Sequence, residues 1–320
     1  MWFRRIFRLD SLLPKHKEAT DQDRSNDLVQ QLSPEALRQL KRLQIRGSKA
    51  LRGDRSGNRP SSRSKPAMEF REHRMYVPGD DIRFVDWRAS ARHETIFVRQ
   101  GEMPKDVIVS LILDCSASMQ WGKKEKKHAQ LSIASALGYA ALTNGDRLFV
   151  YPYGEMANPE FGLVSGKGYL SSFIRYLNQL KYGGQSDLEQ AARGLTQRIS
   201  RGGVVFIISD LLEKGNLSTI LSALPAPHWW VNVIHVLNPA ELNPNVLGTY
   251  ELEDSETGRL VNFDLTNEAI RKYQERVIEW RARLELAAVA HHAFYCLVDS
   301  DWSLSREILP YLREHQVLVN

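Results

Sequence analysis

Two nearly continuous apolar runs constrain the fold of this chain more than any other feature of its sequence. The first is Asp106–Leu113, and the second is Val204–Ile208, which follows the glycine pair Gly202–Gly203. Apolar runs of this length are typical of strands that are covered on both faces, as in a parallel sheet flanked by helices. The sequence therefore predicts a layered α/β protein whose central strands are fully buried.

The segments around these runs alternate between helical and strand patterns. We expect helices over 128–143, 168–181, 187–199, 216–224, 266–290 and 303–315, and further strands over 148–153, 230–237 and 293–298. This alternation predicts a doubly wound, mostly parallel sheet with right-handed crossovers. Segments 249–253 and 259–263 flank a polar turn, which predicts a β-hairpin inserted near the C-terminus.

The N-terminal part of the chain has a different character. Ser33 and Pro34 are an N-cap and a first helical residue, which indicates a helix within residues 20–46. Residues 47–66 are rich in Gly, Ser and Arg and predict a flexible linker. We therefore expect three parts: 1–66 as an N-terminal helix and basic linker, 67–104 as a segment packed on the body, and 105–320 as the α/β domain.

Charge is distributed unevenly along the chain. Residues 1–66 hold 16 basic and 7 acidic residues, whereas the rest of the chain is mildly acidic. A basic segment on an acidic body argues against nucleic-acid binding by the whole protein. Nonspecific, salt-dependent nucleic-acid binding through the linker remains an alternative, although the linker lacks aromatic residues for base stacking.

Cysteine content and hydropathy bear on location. Cys115 and Cys296 are the two cysteines, and each lies in an apolar run, which favours a reducing compartment and predicts a cytoplasmic protein. No run approaches the roughly 18 apolar residues of a membrane-spanning helix. Residues Met1–Asp10 lack the apolar core of a signal peptide. Their interleaved aromatic residues and arginines allow at most a weak contact with a membrane surface.

A carboxylate and two hydroxyls follow the first buried strand. In an extended run, the side chains of Asp114, Ser116 and Ser118 would project to one side. Asp210 follows the second buried strand, and Ser186 lies in a glycine-rich loop before a helix. The carboxyl ends of parallel strands meet at one edge of a sheet, and Mg²⁺ prefers such oxygen ligands. These five residues are therefore the predicted metal ligands, with Mn²⁺ or Ca²⁺ as alternative ions.

This constellation resembles the metal-ion-dependent adhesion site of von Willebrand factor type A domains, which uses an Asp-x-Ser-x-Ser run, a distant Thr and a distant Asp. The run corresponds to Asp114, Ser116 and Ser118, and the distant Asp corresponds to Asp210. The family's Thr lies in a Gly-Gly-Thr-Asp-Leu-like loop. The loop here, residues 183–188, has an extra Gln and carries Ser186 in place of Thr.

A second motif precedes the first buried strand. Residues 69–92 are dense in charged and aromatic side chains, and no amphipathic period accounts for them. They resemble the signature of the family named for domain of unknown function 58. The candidate partner-binding residues in this motif are Tyr76, Asp80, Asp81, Arg83, Asp86, Trp87 and Arg92. The same charges could instead pair with one another and brace the segment structurally.

The resemblance to this family implies that the protein works together with a MoxR-type AAA+ ATPase. We therefore expect a non-enzymatic adaptor or co-chaperone that binds this ATPase and its client protein through the metal site. The alternative is a metal-dependent phosphohydrolase, because aspartyl-phosphate enzymes also place an Asp at the end of a first strand. Those enzymes use a second acidic residue two positions later, where this chain has Ser116.

Overall fold

The fold is that of a computed structural model of the chain. The structure describes residues 7–8, 32–48, 51, 70–77, 85–93, 95–101, 107–122, 125–212, 215–244, 247–254 and 260–320. The contacts divide the chain into two compact units, one of Met1–Ser48 with Ile108–Asn320 and one of Lys49–Val107. The larger unit is called the body below.

The described strands are β1 Phe7–Arg8, β2 Gln44–Ile45, β3 Phe70–Met75, β4 Phe97–Gly101, β5 Ile108–Asp114, β6 Arg147–Tyr153, β7 Phe161–Ser165, β8 Gly203–Ser209, β9 Trp229–Leu237, β10 Gly248–Asp254, β11 Leu260–Leu265, β12 Phe294–Asp299 and β13 Leu318–Val319. The described α-helices are α1 Pro34–Leu40, α2 Trp87–His93, α3 Lys126–Thr143, α4 Leu170–Asn178, α5 Leu188–Arg198, α6 Leu217–Ser222, α7 Pro239–Leu242, α8 Asn267–Ala290 and α9 Leu309–Glu314. A π-helical turn, Leu304–Ile308, leads into α9.

The body is built on a six-stranded sheet with the order β12-β9-β8-β5-β6-β7. Five strands are parallel, and β7 pairs antiparallel with β6 at one edge. In chain order this is the 3-2-1-4-5-6 arrangement of doubly wound sheets, with its third strand reversed. The predicted fold class, a doubly wound and mostly parallel α/β sheet, is confirmed.

Helices cover both faces of this sheet. On one face, α5, α6 and α8 share a hydrophobic cluster with sheet residues such as Ile112, Ile207 and Val233. Helix α3 contacts β5, β6 and β9 and stands outside that cluster, on the opposite face. Every residue of β5 and β8 is buried. The two apolar runs are therefore the central strands, as predicted.

The N-terminal segment of the body differs from its predicted form. The Ser33 hydroxyl accepts the backbone N–H of Ala36 as the expected cap, but α1 ends at Leu40. Strand β2 pairs antiparallel with β13, so a strand replaces the end of the predicted helix. Residues 46–48 are helical, with Gly47 and Ser48 buried, so the predicted linker starts too early. This segment belongs to the body because β13, at the other end of the chain, completes it.

The predicted hairpin near the C-terminus is present. Strands β10 and β11 pair antiparallel from Gly248 with Leu265 to Glu253 with Leu260. Residues Phe7–Arg8 add a third strand, because they pair with Asp254 and Glu253. The rest of Met1–Asp10, for which the sequence allowed a weak contact with a membrane surface, lies outside the described residues.

The smaller unit contains an antiparallel pair, β3 and β4, and helix α2. The sequence pattern predicted none of these elements. In the parts of the chain that the structure describes, no helix is both long enough and apolar enough to cross a lipid bilayer.

Candidate metal and partner site

Asp114 is the last residue of the central strand β5 and is 1% exposed. One carboxylate oxygen accepts the backbone N–H of Ser116 at 2.9 Å, and the other accepts the Ser209 hydroxyl at 2.6 Å. Burial, followed by the negative charge of Asp210, raises the pKa of Asp114 to about 6. Asp114 is thus a buried carboxylate beside a second carboxylate, and both of these hydrogen-bond donors are neutral.

The hydroxyls of Ser116 and Ser118 lie next to each other. Both residues are buried, and their Oγ atoms are 2.9 Å apart. The predicted extended run stops at Ser116, because Ala117–Gln120 form a 3₁₀ turn. The turn brings the second hydroxyl beside the first, so the two meet through a bend and not through strand alternation.

The glycine-rich loop around Ser186 is tied to the same turn. The backbone N–H of Gly183 donates to the carbonyl of Cys115 at 2.9 Å, and the N–H of Ala117 donates to the carbonyl of Gly184 at 3.0 Å. Gly184 has φ +68°, and a Cβ there would lie 2.6 Å from the Cβ of Glu155, so glycine is required. The structure therefore holds the Ser186 loop against the Asp114–Ser118 turn.

A cleft of about 490 Å³ opens beside this loop. The side chains that give it polar and aromatic character are Tyr151, Tyr153, Glu155, Gln185, Ser186 and Asp187. Ser186 is partly exposed, and Asp187 caps α5 by accepting the backbone N–H of Gln190. Of the five predicted metal ligands, only Ser186 lines this cleft.

Asp210 follows β8 and is 1% exposed, but its carboxylate is already bound. Its Oδ2 atom is 2.7 Å from the ammonium of Lys126, and its Oδ1 atom accepts the N–H of Leu212. Lys126 is completely buried and is also 2.7 Å from Oε1 of Glu241. The structure thus brings Asp210 close to Asp114 and adds a buried lysine and a glutamate to the site.

The charge state of Lys126 follows from these partners. Burial alone would lower the pKa of Lys126, but the charges of Asp210 and Glu241 and the hydrogen bonds to them offset this, so its pKa is raised. Glu241 belongs to a capping box, because its other oxygen accepts the N–H of Asn238. Lys126 is therefore an ammonium ion held between two carboxylates.

Sequence reasoning missed Lys126 and Glu241 as members of the site. Lys126 lies in the basic run Lys123–Lys127, which is typical of a solvated helix start. Glu241 had one local signal, the Asn-Pro-x-Glu pattern of a capped helix at Asn238. Neither pattern indicates that the two side chains meet.

Two further buried side chains fix the ends of the strands. Gln130 is one helical turn from Lys126, and its side-chain amide donates to the carbonyls of Asp114 at 2.9 Å and Ile208 at 2.8 Å. Burial lowers the pKa of His235 to about 3, so the ring is neutral. Its Nε2–H donates to the carbonyl of Asp210, which leaves Nδ1 to accept from the Tyr295 hydroxyl.

The backbone bends sharply after Asp210. Leu211 has φ +54°, a conformation that branched and bulky residues rarely adopt. Its N–H donates to the Ser209 hydroxyl, which in turn donates to Asp114. Ser209 therefore joins the turn after β8 to the carboxylate at the end of β5.

Cys115 lies between the candidate ligands and is completely buried, as expected. Burial, and then the charge of Asp114, raises the pKa of its thiol. Among the described residues, no group of three or more His, Cys, Asp or Glu side chains is arranged to hold a metal ion. A cation here would therefore need the serine hydroxyls, and water, as ligands.

The second motif is described in part. Asp86 is buried, and its Oδ1 atom accepts the N–H groups of Arg88 and Ala89, so it caps α2. Trp87 is 64% exposed, Arg92 is exposed, and Tyr76 is half-buried. Asp80, Asp81 and Arg83 lie outside the described residues. Asp86 thus has a structural role, whereas Trp87 and Arg92 face outward on the helix.

Comparisons with solved structures gave matches of low identity. One is BatB from Bacteroides thetaiotaomicron, at 16% identity and a TM-score of 0.41, covering 65% of this chain and 98% of that protein. Another is the manganese-loaded TRAP protein of Plasmodium vivax, at 12% identity and a TM-score of 0.38, covering 67% of this chain and 75% of that protein.

Comparisons of sequence are more specific. Uncharacterised proteins of Mycobacterium bovis and Mycobacterium tuberculosis are 30% identical over 220 residues, which is 67% of this chain and 68% of theirs. The family model described as "Protein of unknown function DUF58" matches residues 72–283. The match covers nearly all of the signature motif, covers five of the six strands of the central sheet, β5 to β9, and ends within α8. The resemblance inferred from the motif is therefore confirmed, and the chain belongs to the DUF58 family.

Proposed function

We propose that this protein is a non-enzymatic adaptor that binds a partner protein through a divalent cation held at Asp114, Ser116 and Ser118. When bound, the cation would supply positive charge for a carboxylate of the partner. The protein's own residues would position the cation and leave one side of it open. Mg²⁺ is the proposed ion, with Mn²⁺ or Ca²⁺ as alternatives.

The observation that carries this proposal is the spacing of the two hydroxyls. Mg²⁺ takes oxygen ligands at about 2.0–2.1 Å in an octahedron, so two adjacent ligands lie about 2.9 Å apart. The Ser116 and Ser118 oxygens are 2.9 Å apart. The same separation is a hydrogen bond between the hydroxyls, so the pair is held at ligand spacing by a contact that a cation would replace.

The electrostatics of Asp114 favour a cation at the same place. Its carboxylate is buried beside the negative charge of Asp210 and receives hydrogen bonds from Ser116 and Ser209. Neutral donors compensate a buried carboxylate less than a positive charge does. A divalent cation would supply that charge. The remaining oxygens of the predicted set are those of Ser186, beside the cleft, and Asp210, held by Lys126.

We propose binding without catalysis because the residues around Asp114 suit the holding of an ion. A phosphohydrolase of the aspartyl-phosphate kind would place an acid at position 116, where Ser116 stands. The lysine that does lie nearby, Lys126, is completely buried and bound by Asp210 and Glu241. It is therefore held by these two carboxylates and is not available to a substrate.

The proposed partners are a MoxR-type AAA+ ATPase and its client protein, as the resemblance of the second motif implies. Exposed Trp87 and Arg92 would add contacts, because Trp and Arg are enriched at protein interfaces. We also propose a reducing compartment such as the cytoplasm, since Cys115 and Cys296 are both free and buried.

The proposal is tested by measuring binding of the full chain to the MoxR-type ATPase encoded in the same genome, with Mg²⁺ and with EDTA. We expect binding that EDTA abolishes and that Asp114→Ala abolishes. The matched control is Asp264→Ala, which removes an exposed carboxylate from the hairpin and should leave binding unchanged. Binding that survives both EDTA and Asp114→Ala would show that the cation-bridged mode is wrong.

A further inference from the structure

Lys126 is an unusual residue for a position without solvent contact. It is the first residue of α3, its side chain is 0% exposed, and two carboxylates bind its ammonium at 2.7 Å. Burying an ammonium is costly unless it is paired and hydrogen-bonded, and removal of one partner leaves an uncompensated charge. The contacts connect three elements: the start of α3, the end of β8 and the capping box of α7.

We propose that Lys126 is a resident cation that sets the charge of the site, so that the site accepts a divalent cation in preference to one of another charge. The proposal rests on the proposed function, because it concerns the same cation at Asp114. It assigns Lys126 as a residue that determines specificity, together with Glu241, which no motif connected to the site.

The hydrogen bonds indicate the charge of each group. Both oxygens of Asp210 accept, from Lys126 and from Leu212 N–H. Both oxygens of Glu241 also accept, from Lys126 and from Asn238 N–H. The contact of each carboxyl with the Lys126 ammonium favours its ionised form. Burial favours protonation of Glu241, and the charge of Lys126 opposes it.

The charges of these groups do not cancel. Lys126 contacts Asp210 and Glu241, and the negative charge of Asp210 acts in turn on Asp114, which accepts from Ser116 and Ser209. Counted together, the three carboxylates and the one ammonium carry a net charge of −2. One divalent cation would neutralise this charge. The number of ligand charges is one of the properties by which proteins tune cation affinity. Lys126 reduces the net negative charge of the cluster by one, and its ammonium does not contact the hydroxyls of Ser116 and Ser118.

A purely structural role for Lys126 and a role in setting the charge of the site lead to different expected results. If the lysine only stabilised the fold, its replacement would lower stability but leave cation preference unchanged. If it sets the charge, replacement of Lys126 and replacement of Glu241 would shift affinity in opposite directions. Replacement of both together would restore the net charge and the affinity.

The experiment compares four full-length chains: wild type, Lys126→Met, Glu241→Gln and the double variant Lys126→Met/Glu241→Gln. Each chain is stripped of metal with EDTA, and the chelator is then removed. One sample is titrated with Mn²⁺, and free Mn²⁺ is measured by electron paramagnetic resonance. A second sample is titrated with Tb³⁺, and binding is measured by Tb³⁺ luminescence. We expect Mn²⁺ to bind Lys126→Met about tenfold more tightly and Glu241→Gln about tenfold more weakly than wild type. The double variant should match wild type within about threefold, and Lys126→Met should gain more affinity for Tb³⁺ than for Mn²⁺.

The double variant also protects the test against misfolding, because removal of a whole buried pair is tolerated better than removal of one partner. If wild type binds and every variant binds equally well, the inference is overturned and the proposed function stands. If wild type does not bind but Lys126→Met does, Lys126 excludes the divalent cation, and both the inference and the metal-dependent part of the proposed function are overturned. If no chain binds, both are overturned.

Discussion

Gln130 shows how a single side chain can hold the site in place. Its amide donates to the carbonyls that end the two central strands, at Asp114 and Ile208, and its oxygen accepts the Tyr182 hydroxyl at 2.7 Å. All three bonds are buried or partly buried, so their loss leaves polar groups that water reaches poorly. The position of Asp114 relative to β8 therefore depends on a residue that would not itself bind the cation.

We predict that Gln130→Leu lowers the free energy of unfolding by about 2–3 kcal/mol, because it leaves buried carbonyls and a hydroxyl unsatisfied. The measurement is urea unfolding followed by circular dichroism. The matched control is Gln197→Leu, at an exposed position of α5, which should change stability by less than about 0.5 kcal/mol. Equal effects at the two positions would contradict the role assigned to Gln130.

The sequence could predict the two aspartates of the site, because each lies where a predicted strand ends. Asp114 and Asp210 each lie at the end of a predominantly apolar run, and adjacent parallel strands bring such ends together. Lys126 could not be predicted, because a lysine in a basic run is normally solvated. Its burial depends on Asp210 and Glu241, which lie far away in sequence and meet it only in the folded sheet.

At the scale of elements, the N-terminal segment of the body is defined by its contacts and not by its own propensity. Strand β2 has two residues and is completed by β13. Gly47 follows it, and a Cβ there would lie 2.8 Å from the Trp230 side chain and 2.9 Å from that of Val204. The segment is therefore packed closely against the central sheet, at β8 and β9.

We predict that Gly47→Ala destabilises the protein by about 1–3 kcal/mol, because the added methyl group overpacks this contact. The comparison is Gly168→Ala, since an added Cβ at Gly168 meets nothing within 4 Å. Thermal or urea unfolding of the two variants gives the measurement. A Gly47→Ala variant as stable as Gly168→Ala would show that the segment does not pack against the sheet as described.

Sequence patterns did not predict the short strands or the end of the N-terminal helix. The long apolar strands and the helices between them were predicted within a few residues. Strand β7 was missed because it is short and largely exposed, with no residue fully buried. The predicted N-terminal helix ran past Leu40 because Leu43 and Ile45 continue the helical spacing, whereas tertiary pairing places Ile45 in β2.

At the scale of the whole molecule, the two cysteines report on the integrity of the sheet. Cys115 follows the central strand β5 and Cys296 lies in the edge strand β12, with 0% and 2% exposure. Burial raises the pKa of Cys296 to about 12 and raises that of Cys115 as well. Neither thiol is therefore reactive in the folded protein.

We predict that Ellman's reagent modifies neither cysteine of the native chain on a timescale of minutes, and modifies both when urea is added. Their modification in the native protein should follow global unfolding, because both thiols lie within one cooperative sheet. Rapid reaction of one thiol in the absence of urea would contradict this description of the sheet.

The central claim is that the end of strand β5 holds one divalent cation through the hydroxyls of Ser116 and Ser118. Isothermal titration of Mg²⁺ into the EDTA-stripped full chain, and into the double variant Ser116→Ala/Ser118→Ala, tests it most directly. We predict one Mg²⁺ per wild-type chain and an affinity at least about tenfold weaker in the variant, because two of the ligands are lost. Equal affinity in the two chains, or no binding by wild type, would contradict the claim.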